Sequence, residues 1–365
     1  MKKVISLCLS LMLIFTYTTT ALGDLTSSAN VTITRLYGSN RYATAVAIAN
    51  ALSIQANNGG KFPNIVLASG NNYPDALSGA PLAKLLKAPI LLLDTTPGAS
   101  ATTLGYVKTH LAANGGLYIL GGTGLFPAGY LQAIAAAINI APGQIHQIGG
   151  SDREATSLMI GQLVVQLGGN PGHFADIVSA NNYYDALTVA SRDASGTPSP
   201  IILVSPTGIT AAQKTFLDSI TYLEAVGDIT KQIGTSYPRA LQNIVISGAD
   251  EYTTNSQYNA QITGSPTIYI ATGQDYPDAL AGAVLAGNLS LMCPIYLVQS
   301  TSLPAVTASY LSQLAYYDHN AGSPVVTQSQ QVVYPNIVVL GGTGAVSDAV
   351  VQQIKTIMQG PGAVQ

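Results

Sequence analysis

One nine-residue stretch occurs three times in this chain of 365 residues, and the repetition limits its fold more than any other feature. The copies read NNYPDALSG at 71–79, NNYYDALTV at 181–189 and QDYPDALAG at 274–282. Their shared aspartates, Asp75, Asp185 and Asp278, stand 110 and 93 residues apart, which is about the length of a small domain. The sequence therefore predicts three domain-sized copies of one unit.

Two further segments recur around this stretch in fixed order. LYGSNRYATA at 36–45 returns as IGGSDREATS at 148–157 and, more loosely, as ISGADEYTTN at 246–255. YILGGTGLFP at 118–127 returns as VVLGGTGAVS at 338–347, with EAVGDITKQI at 224–233 in the corresponding place of the second copy. From these segments we place the three copies at 33–143, 144–239 and 240–365.

Each copy alternates strand and helix patterns. Short β-branched runs such as NIVLAS at 64–69 and PILLL at 89–93 are typical of strands, whereas RYATAVAIANAL at 41–52 and DALSGAPLAKLL at 75–86 place apolar residues at helical spacing. Alternation of this kind favours parallel sheets covered by helices on both faces. We expect an α/β fold of three tandem, Rossmann-like three-layer units with mostly parallel sheets.

The N-terminus has the pattern of a secretory leader. Lys2 and Lys3 precede an apolar run from Val4 to Phe15, and residues 1–23 are predicted to be a signal peptide. The run is too short to be a comfortable membrane span, which takes roughly 20 apolar residues, so no transmembrane segment is expected. Removal of the leader would leave Cys293 as the one cysteine, which excludes an internal disulfide.

Charge argues against nucleic acid as a partner. Without Lys2 and Lys3, twelve of the 14 basic residues remain against 17 acidic ones, a formal charge of −5. All of these basic residues except Lys355 lie in the first two copies, and none occurs between Arg239 and Lys355. The third copy is rich in tyrosine instead, a residue suited to strands and cores and also to stacking on sugars.

The repeated ionic residues have positions expected of turns and helix caps. Asn40, Asp152 and Asp250 follow a strand and precede a helix, where their side chains can accept a bond from a free backbone N–H of the first turn. Pro74 and Pro277 suit the first position of a helix, which puts the aspartate of the nine-residue stretch in the first turn, where the helix dipole favours a negative charge. We assign structural turn and cap roles to six residues: Asn40, Asp75, Asp152, Asp185, Asp250 and Asp278.

A catalytic role for the three aspartates is the alternative. General acid–base catalysis normally uses a second titratable group or a metal, but the four histidines occupy unrelated positions in the copies. Arg41 and Arg153 could pair with the aspartates of their copies, whereas Glu251 replaces arginine in the third. The sequence contains no G-x-S-x-G elbow, no H-E-x-x-H and no Walker A motif, and its GGTG segments do not complete a dinucleotide fingerprint. We predict no catalytic residue, no metal and no cofactor.

All recurring segments follow strands, and ligands of open α/β sheets collect outside the carboxyl ends of the strands. Helix N-termini there offer free N–H groups to an anion even on a negatively charged protein. In the alternative interpretation, these turns are ordinary connections and the ends of the copies pack on each other.

Together, RLYGSNRYATAVAIA, ASGNNYPDALSGAPLA, PILLL and YILGGTG resemble the cell wall binding repeat type 2 family of Gram-positive surface proteins, from about residue 33 to the C-terminus. The resemblance implies Toprim-like units in a pseudo-threefold trimer within one chain, and binding of an anionic secondary cell-wall polymer. It also gives a binding role to the segment that begins PILL. The polymer-binding residues it implies are Pro89, Ile90, Leu91, Leu92, Pro200, Ile201, Ile202, Leu203, Pro294, Ile295, Tyr296 and Leu297, to which we add Arg41 and Arg153.

Three residues depart from the family pattern: Tyr296 in the PILL segment, Glu154 in place of tyrosine, and Glu251 in place of arginine. The sequence therefore predicts a secreted protein at the cell wall or cell surface that anchors noncovalently to an anionic wall glycopolymer and catalyses no reaction. Because the copies fill the chain, we expect a stand-alone protein. A wall hydrolase of the N-acetylmuramoyl-L-alanine amidase type is the first alternative. The second is a structural surface-layer component, with surface-layer proteins as partners.

Overall fold

The computed structural model describes residues 31–169, 173–231, 233, 236–262, 265, 267–288, 292–319 and 336–359. The predicted signal peptide and the tail after Gln359 lie outside these residues. Within them, no helix is both long enough and apolar enough to cross a bilayer.

Strands and helices alternate through all three copies. The first copy contains β1 (Ile33–Leu36), α1 (Arg41–Asn57), β2 (Phe62–Ser69), α2 (Gly79–Leu85), β3 (Ile90–Leu93), α3 (Ala101–His110), β4 (Leu111–Leu120) and α4 (Ala128–Ile138). The second contains β5 (Ile145–Ile148), α5 (Arg153–Gln166), β6 (Phe174–Ser179), α6 (Tyr184–Asp193), β7 (Ile201–Val204), α7 (Ala211–Asp218) and β8 (Tyr222–Val226). The third contains β9 (Ile244–Ile246), α8 (Glu251–Asn259), β10 (Thr267–Thr272), α9 (Pro277–Gly287), β11 (Ile295–Val298), α10 (Ala305–His319), β12 (Asn336–Leu340) and α11 (Asp348–Gln359).

The strands form three parallel four-stranded sheets with one shared order. The first sheet runs β3-β2-β4-β5, the second β7-β6-β8-β9 and the third β11-β10-β12-β1. The central strands are buried on both faces because helices cover both, as their continuous apolar sequences predict. The α/β fold class with three parallel-sheet units is thus confirmed.

The sheets are offset from the sequence repeats by one strand. The first strand of the second copy completes the first sheet, and β1, at the start of the chain, pairs with β12 at its end. Arg35 on β1 strengthens this closure: its guanidinium donates to the carbonyls of Gly341 and Val346 at 3.0 and 2.9 Å and to Asp348 at 2.9 Å. The three copies are therefore linked in a closed ring. The copy boundaries stay a prediction.

One helix differs from its sequence pattern. The segment 75–86 predicts a continuous helix, but the structure has a 3₁₀ turn at Pro74–Ala76 and α2 begins only at Gly79. Pro81 explains the break, because a proline ring clashes with the carbonyl four residues earlier and is tolerated only in the first turn of an α-helix. The second and third copies lack this proline, and α6 and α9 are continuous.

The helices that follow the nine-residue stretch, α2, α6 and α9, contact one another in all three pairings. They lie at the centre of the ring, and the largest apolar cluster runs through residues of all three copies. We call the contact between the first and second copies the first junction, that between the second and third the second junction, and that between the third and first the third junction.

Candidate functional site

Equivalent turns from all three copies meet at the carboxyl ends of the strands. We call this surface the carboxyl-end face, formed by residues 38–41, 70–75 and 121–124 of the first copy and their counterparts in the other two. Each copy contributes a helix start, the turn with the repeated aspartate, and the Gly-Gly turn or its equivalent.

The helix starts have side-chain caps. Asn40 accepts a bond from the Ala43 N–H at 3.0 Å, and Asp152 and Asp250 do the same for the helices α5 and α8 at 2.7 Å. The glycine two residues before each cap is required by space, since a Cβ on Gly38 would stand 2.4 Å from the Ala43 side chain. These contacts fix the angle at which each strand enters its helix.

Asp185 has the most enclosed position of the three repeated aspartates. Its side chain lies at the start of α6, and the residue is 1% exposed. It accepts bonds from the Asn182 amide at 2.9 Å and from the Asp228 N–H at 3.1 Å. Burial raises its pKa to about 7, with a smaller contribution from the charges of Asp228 and Glu251.

Asp75 and Asp278 occupy the same place in their copies. Burial raises the pKa of Asp278 to about 6 and also raises that of Asp75, where bonds from Thr156 and the Gly122 N–H and the charge of Arg153 act in the opposite direction. A Cβ on Gly341 would stand 2.3 Å from the Asp278 carboxylate. Each aspartate therefore packs under the glycine turn of its own copy, beside the first helix turn of the next.

Burial changes one expectation. A position in the first helix turn, where the helix dipole stabilises a negative charge, would by itself lower the pKa values of these carboxyls. In the structure, all three pKa values are raised, because the cost of removing a carboxylate from water outweighs the stabilisation by the helix dipole. Asp75 and Asp185 accept hydrogen bonds from their surroundings, but ionising any of the three carboxyls costs free energy because they are buried.

The arginines also have partners other than those expected. Arg41 donates to the Gly70 carbonyl at 2.6 Å and to Asp275 of the third copy at 3.1 Å, and Arg153 donates to the Ala180 carbonyl at 2.8 Å. The expected pairing of each arginine with the aspartate of its own copy is therefore wrong for Arg41, whose carboxylate partner belongs to the preceding copy in the ring. Both side chains are partly exposed on the carboxyl-end face.

The tyrosine shared by all three nine-residue stretches forms the centre of this face. Tyr73, Tyr183 and Tyr276 contact one another in a triangle, with ring centroids 5.3, 5.4 and 6.2 Å apart. The Tyr183 hydroxyl donates to the Gly273 carbonyl at 3.2 Å. In the other two copies, the equivalent carbonyl accepts a hydrogen bond from Arg41 or Arg153. Sequence reasoning missed this triangle, although one tyrosine at a constant position in all three copies was the signal for it.

The PILL segments lie elsewhere, as edge strands under helices. Their side chains are buried, and the outer edges of β7 and β11 bond to helix side chains. The Leu203 N–H donates to the Ser157 hydroxyl oxygen at 3.0 Å, and the Leu297 N–H donates to the Asn255 side-chain oxygen at 2.9 Å. The proline before each strand contributes its carbonyl to the ladder. No side chain of these strands is available to an external polymer in this conformation, and their role in polymer binding stays a prediction.

Comparison with known proteins identifies the repeats. A family model described as cell wall binding domain 2 (CWB2) matches residues 35–129, 147–234 and 245–351. The chain belongs to this family. The match follows the three copies, so the resemblance seen in the sequence is confirmed.

Similar proteins differ from this chain in length. N-acetylmuramoyl-L-alanine amidase LytC of Bacillus subtilis is 27% identical over 338 residues, which are 92% of this chain and 60% of LytC. Among solved structures, Cwp8 from Clostridium difficile has a TM-score of 0.73 at 20% identity, covering 90% of this chain and 52% of Cwp8. Cwp6 from the same organism has a TM-score of 0.72 at 22% identity, covering 94% of this chain and 50% of Cwp6. This chain spans about half to three fifths of each relative.

Proposed function

We propose that this CWB2 protein attaches noncovalently to the cell wall by binding an anionic wall glycopolymer at the carboxyl-end face, without catalysing a reaction. The observation that carries the proposal is the ring of three equivalent turns, in which helix N-termini, Arg41 and Arg153 face the same side. Partly exposed guanidinium groups beside helix N-termini suit phosphate or carboxylate groups spaced along a chain.

The contact depends on more than bulk charge, because the protein is acidic overall. Binding therefore requires local donors. The second junction should attract an anion least, because Glu251 stands where the other copies have arginine. We expect the first and third junctions to contribute most of the affinity.

Retention on purified cell walls tests the proposal. The mature protein should be retained on intact walls and released from walls stripped of their secondary polymer, and equal retention on both would contradict polymer binding. Arg41→Gln and Arg153→Gln should each weaken retention, most at low salt. Lys214→Gln removes the same charge from an exposed ion pair on α7, which contributes none of the turns that form this face, and should bind like the wild type.

A wall hydrolase is the second candidate, and the similarity to an amidase favours testing it. The enclosure of Asp185 argues against it as a proton carrier for an external substrate. Within the described residues, no group of histidine, cysteine or acidic side chains is placed to hold a metal ion. Release of peptidoglycan fragments by the purified protein, lost on changing Asp75, Asp185 or Asp278 to Asn, would support the hydrolase and overturn the noncatalytic proposal.

The third interpretation, a structural surface-layer component, stays a prediction. It requires ordered self-association of the purified protein without added polymer. Scattering or electron microscopy of the mature protein, with and without wall polymer, separates it from simple anchoring.

A further inference from the structure

The second junction buries a cluster of charged side chains far from the carboxyl-end face. Asp176 on β6 and Glu224 on β8 are direct neighbours across paired strands, and both are fully buried. Arg192 on α6 donates to Glu224 and lies 3.8 Å from Asp176. Tyr258, from α8 of the third copy, donates its hydroxyl to Asp176 at 2.9 Å. Asp193, beside Arg192, completes the cluster.

The charges in this cluster do not balance when its carboxyl groups are ionised. Three carboxyl groups share one guanidinium, and a buried oxygen on each of Asp176, Asp193 and Glu224 has no hydrogen-bond partner among the described residues. Burial, with the charge of Asp176, raises the pKa of Asp193 and brings that of Glu224 to about 7. Buried carboxylates without donors cost stability, so the fold would be expected to avoid them.

The other two junctions show that the fold does not need these charges. Counting from the repeated aspartates, the helix caps and the glycine turns gives the residue in each equivalent place. At the first junction, the places of Asp176, Arg192, Asp193, Glu224 and Tyr258 are taken in that order by Val66, Leu82, Ala83, Tyr118 and Ile160. At the third junction, they are taken in the same order by Tyr269, Leu285, Ala286, Val338 and Ile48. The strand pairs Val66–Tyr118 and Tyr269–Val338 have the register of Asp176–Glu224, which confirms the equivalence in space. Only the second junction places charges in these positions.

A cavity of about 550 Å³ adjoins the cluster, a volume in the range of small-molecule sites. It lies at the amino-terminal ends of the strands, because its wall includes Phe174 and Ile244, the first residues of β6 and β9. Arg192 and Asp193 line it, and Asp193 is only 3% exposed. Hydroxyl and amide groups come from Ser195, Thr197 and Gln261.

We propose that this cavity binds a small polyhydroxylated ligand with a protonated amine, which places its ammonium group at Asp193. An ammonium group has three donors and a positive charge, which are what the unpaired carboxylate oxygens lack. An anion fits less well, because the Arg192 guanidinium already bonds to Glu224 and lies 4.1 Å from the Tyr258 ring centroid. Hydroxyls on the ligand would match Ser195, Thr197 and Gln261. This site is independent of polymer binding at the opposite ends of the strands.

A pair of sugars that differ in one charge tests the site. Glucosamine should bind the full mature protein saturably near neutral pH in calorimetry and raise its melting temperature, whereas glucose, which has an uncharged hydroxyl in place of the ammonium group, should do neither. Asp193→Ala should weaken glucosamine binding at least tenfold. Alanine occupies this position in both other copies, so the variant is expected to fold. Asp218→Ala removes an exposed carboxylate and should bind like the wild type.

Three results would overturn the proposal: no saturable binding of glucosamine, equal binding of the two sugars, or unchanged binding by Asp193→Ala. If Asp193→Ala does not fold, Asp193→Asn keeps the shape of the side chain and is held to the same tenfold loss. Wall retention is unaffected in all these cases, so failure here leaves polymer anchoring standing.

Discussion

The buried carboxyl of Asp185 makes a quantitative prediction for the pH dependence of stability. Its pKa is about 7 in the folded protein, against a usual value of 3.8. Because the folded state holds this proton to higher pH than the unfolded chain does, its contribution is fully present below pH 3.8 and is lost as pH rises through the folded pKa of about 7.

The size of the effect follows from the two pKa values. Between about pH 5 and pH 8 the unfolded chain is ionised while the folded protein still holds the proton up to its pKa of about 7, so the free energy of unfolding falls by about 2–3 kcal/mol. Asp185→Asn is neutral throughout, and its amide oxygen can still accept from the Asp228 N–H. The variant should therefore gain about 2–3 kcal/mol relative to the wild type over this range.

Urea unfolding followed by circular dichroism at several pH values measures this difference. The quantity to compare across pH is the difference in the free energy of unfolding between the variant and the wild type, because the titration of all other groups cancels in this difference. Parallel curves for Asp185→Asn and the wild type would refute the assignment of a raised pKa to burial of Asp185.

Three further predictions concern the ring. Gly227→Ala should destabilise the protein by about 2 kcal/mol or more in urea unfolding, because the φ of Gly227 is +81° and an added Cβ would stand 1.9 Å from the carboxyl carbon of Asp185. Gly124→Ala adds its Cβ in open space and should change the stability little. Arg35→Ala should lower the free energy of unfolding by about 1–3 kcal/mol, because it removes the hydrogen bonds that hold β1 to the C-terminal part of the chain. Lys214→Ala, which breaks an exposed i,i+4 ion pair, should stay within about 0.5 kcal/mol of the wild type. A loss for Arg35→Ala no larger than that for Lys214→Ala would contradict a role of Arg35 in closing the ring. Tyr73→Ala should lower the melting temperature by removing two ring contacts worth about 0.5–1.5 kcal/mol each, and Tyr73→Phe should retain them; equal losses in the two variants would contradict a role for the rings.

Much of the fold could be predicted because its determinants are local. Apolar periodicity indicated the strands and helices, and the repeated Asx residues marked helix starts that the structure caps at 2.7 to 3.0 Å. The pairing of β1 with β12 could not be predicted, since nothing in the local sequence of Ile33–Leu36 selects a partner strand some 300 residues away.

The site was harder to predict than the fold because it forms between copies. The partner of Arg41 is Asp275, which is its neighbour only when the ring closes. The raised pKa of Asp185 depends on enclosure by the turn at Gly227, which position in a helix does not reveal. A sequence shows which residues are charged, whereas burial decides what the charge costs.

The three junctions share one geometry and differ in charge, and this difference separates architecture from function. At the carboxyl ends, Asp75 lies near Arg153 and Asp278 near Arg41, whereas Asp185 has Glu251 in the corresponding place. At the amino ends, the same second junction again carries the unbalanced acids. Uncharged residues fill the equivalent positions at the other two junctions, so the fold itself does not require the charges of the second. A bound amine would supply the missing positive charge, and the equivalent positions at the other two junctions offer it no carboxylate.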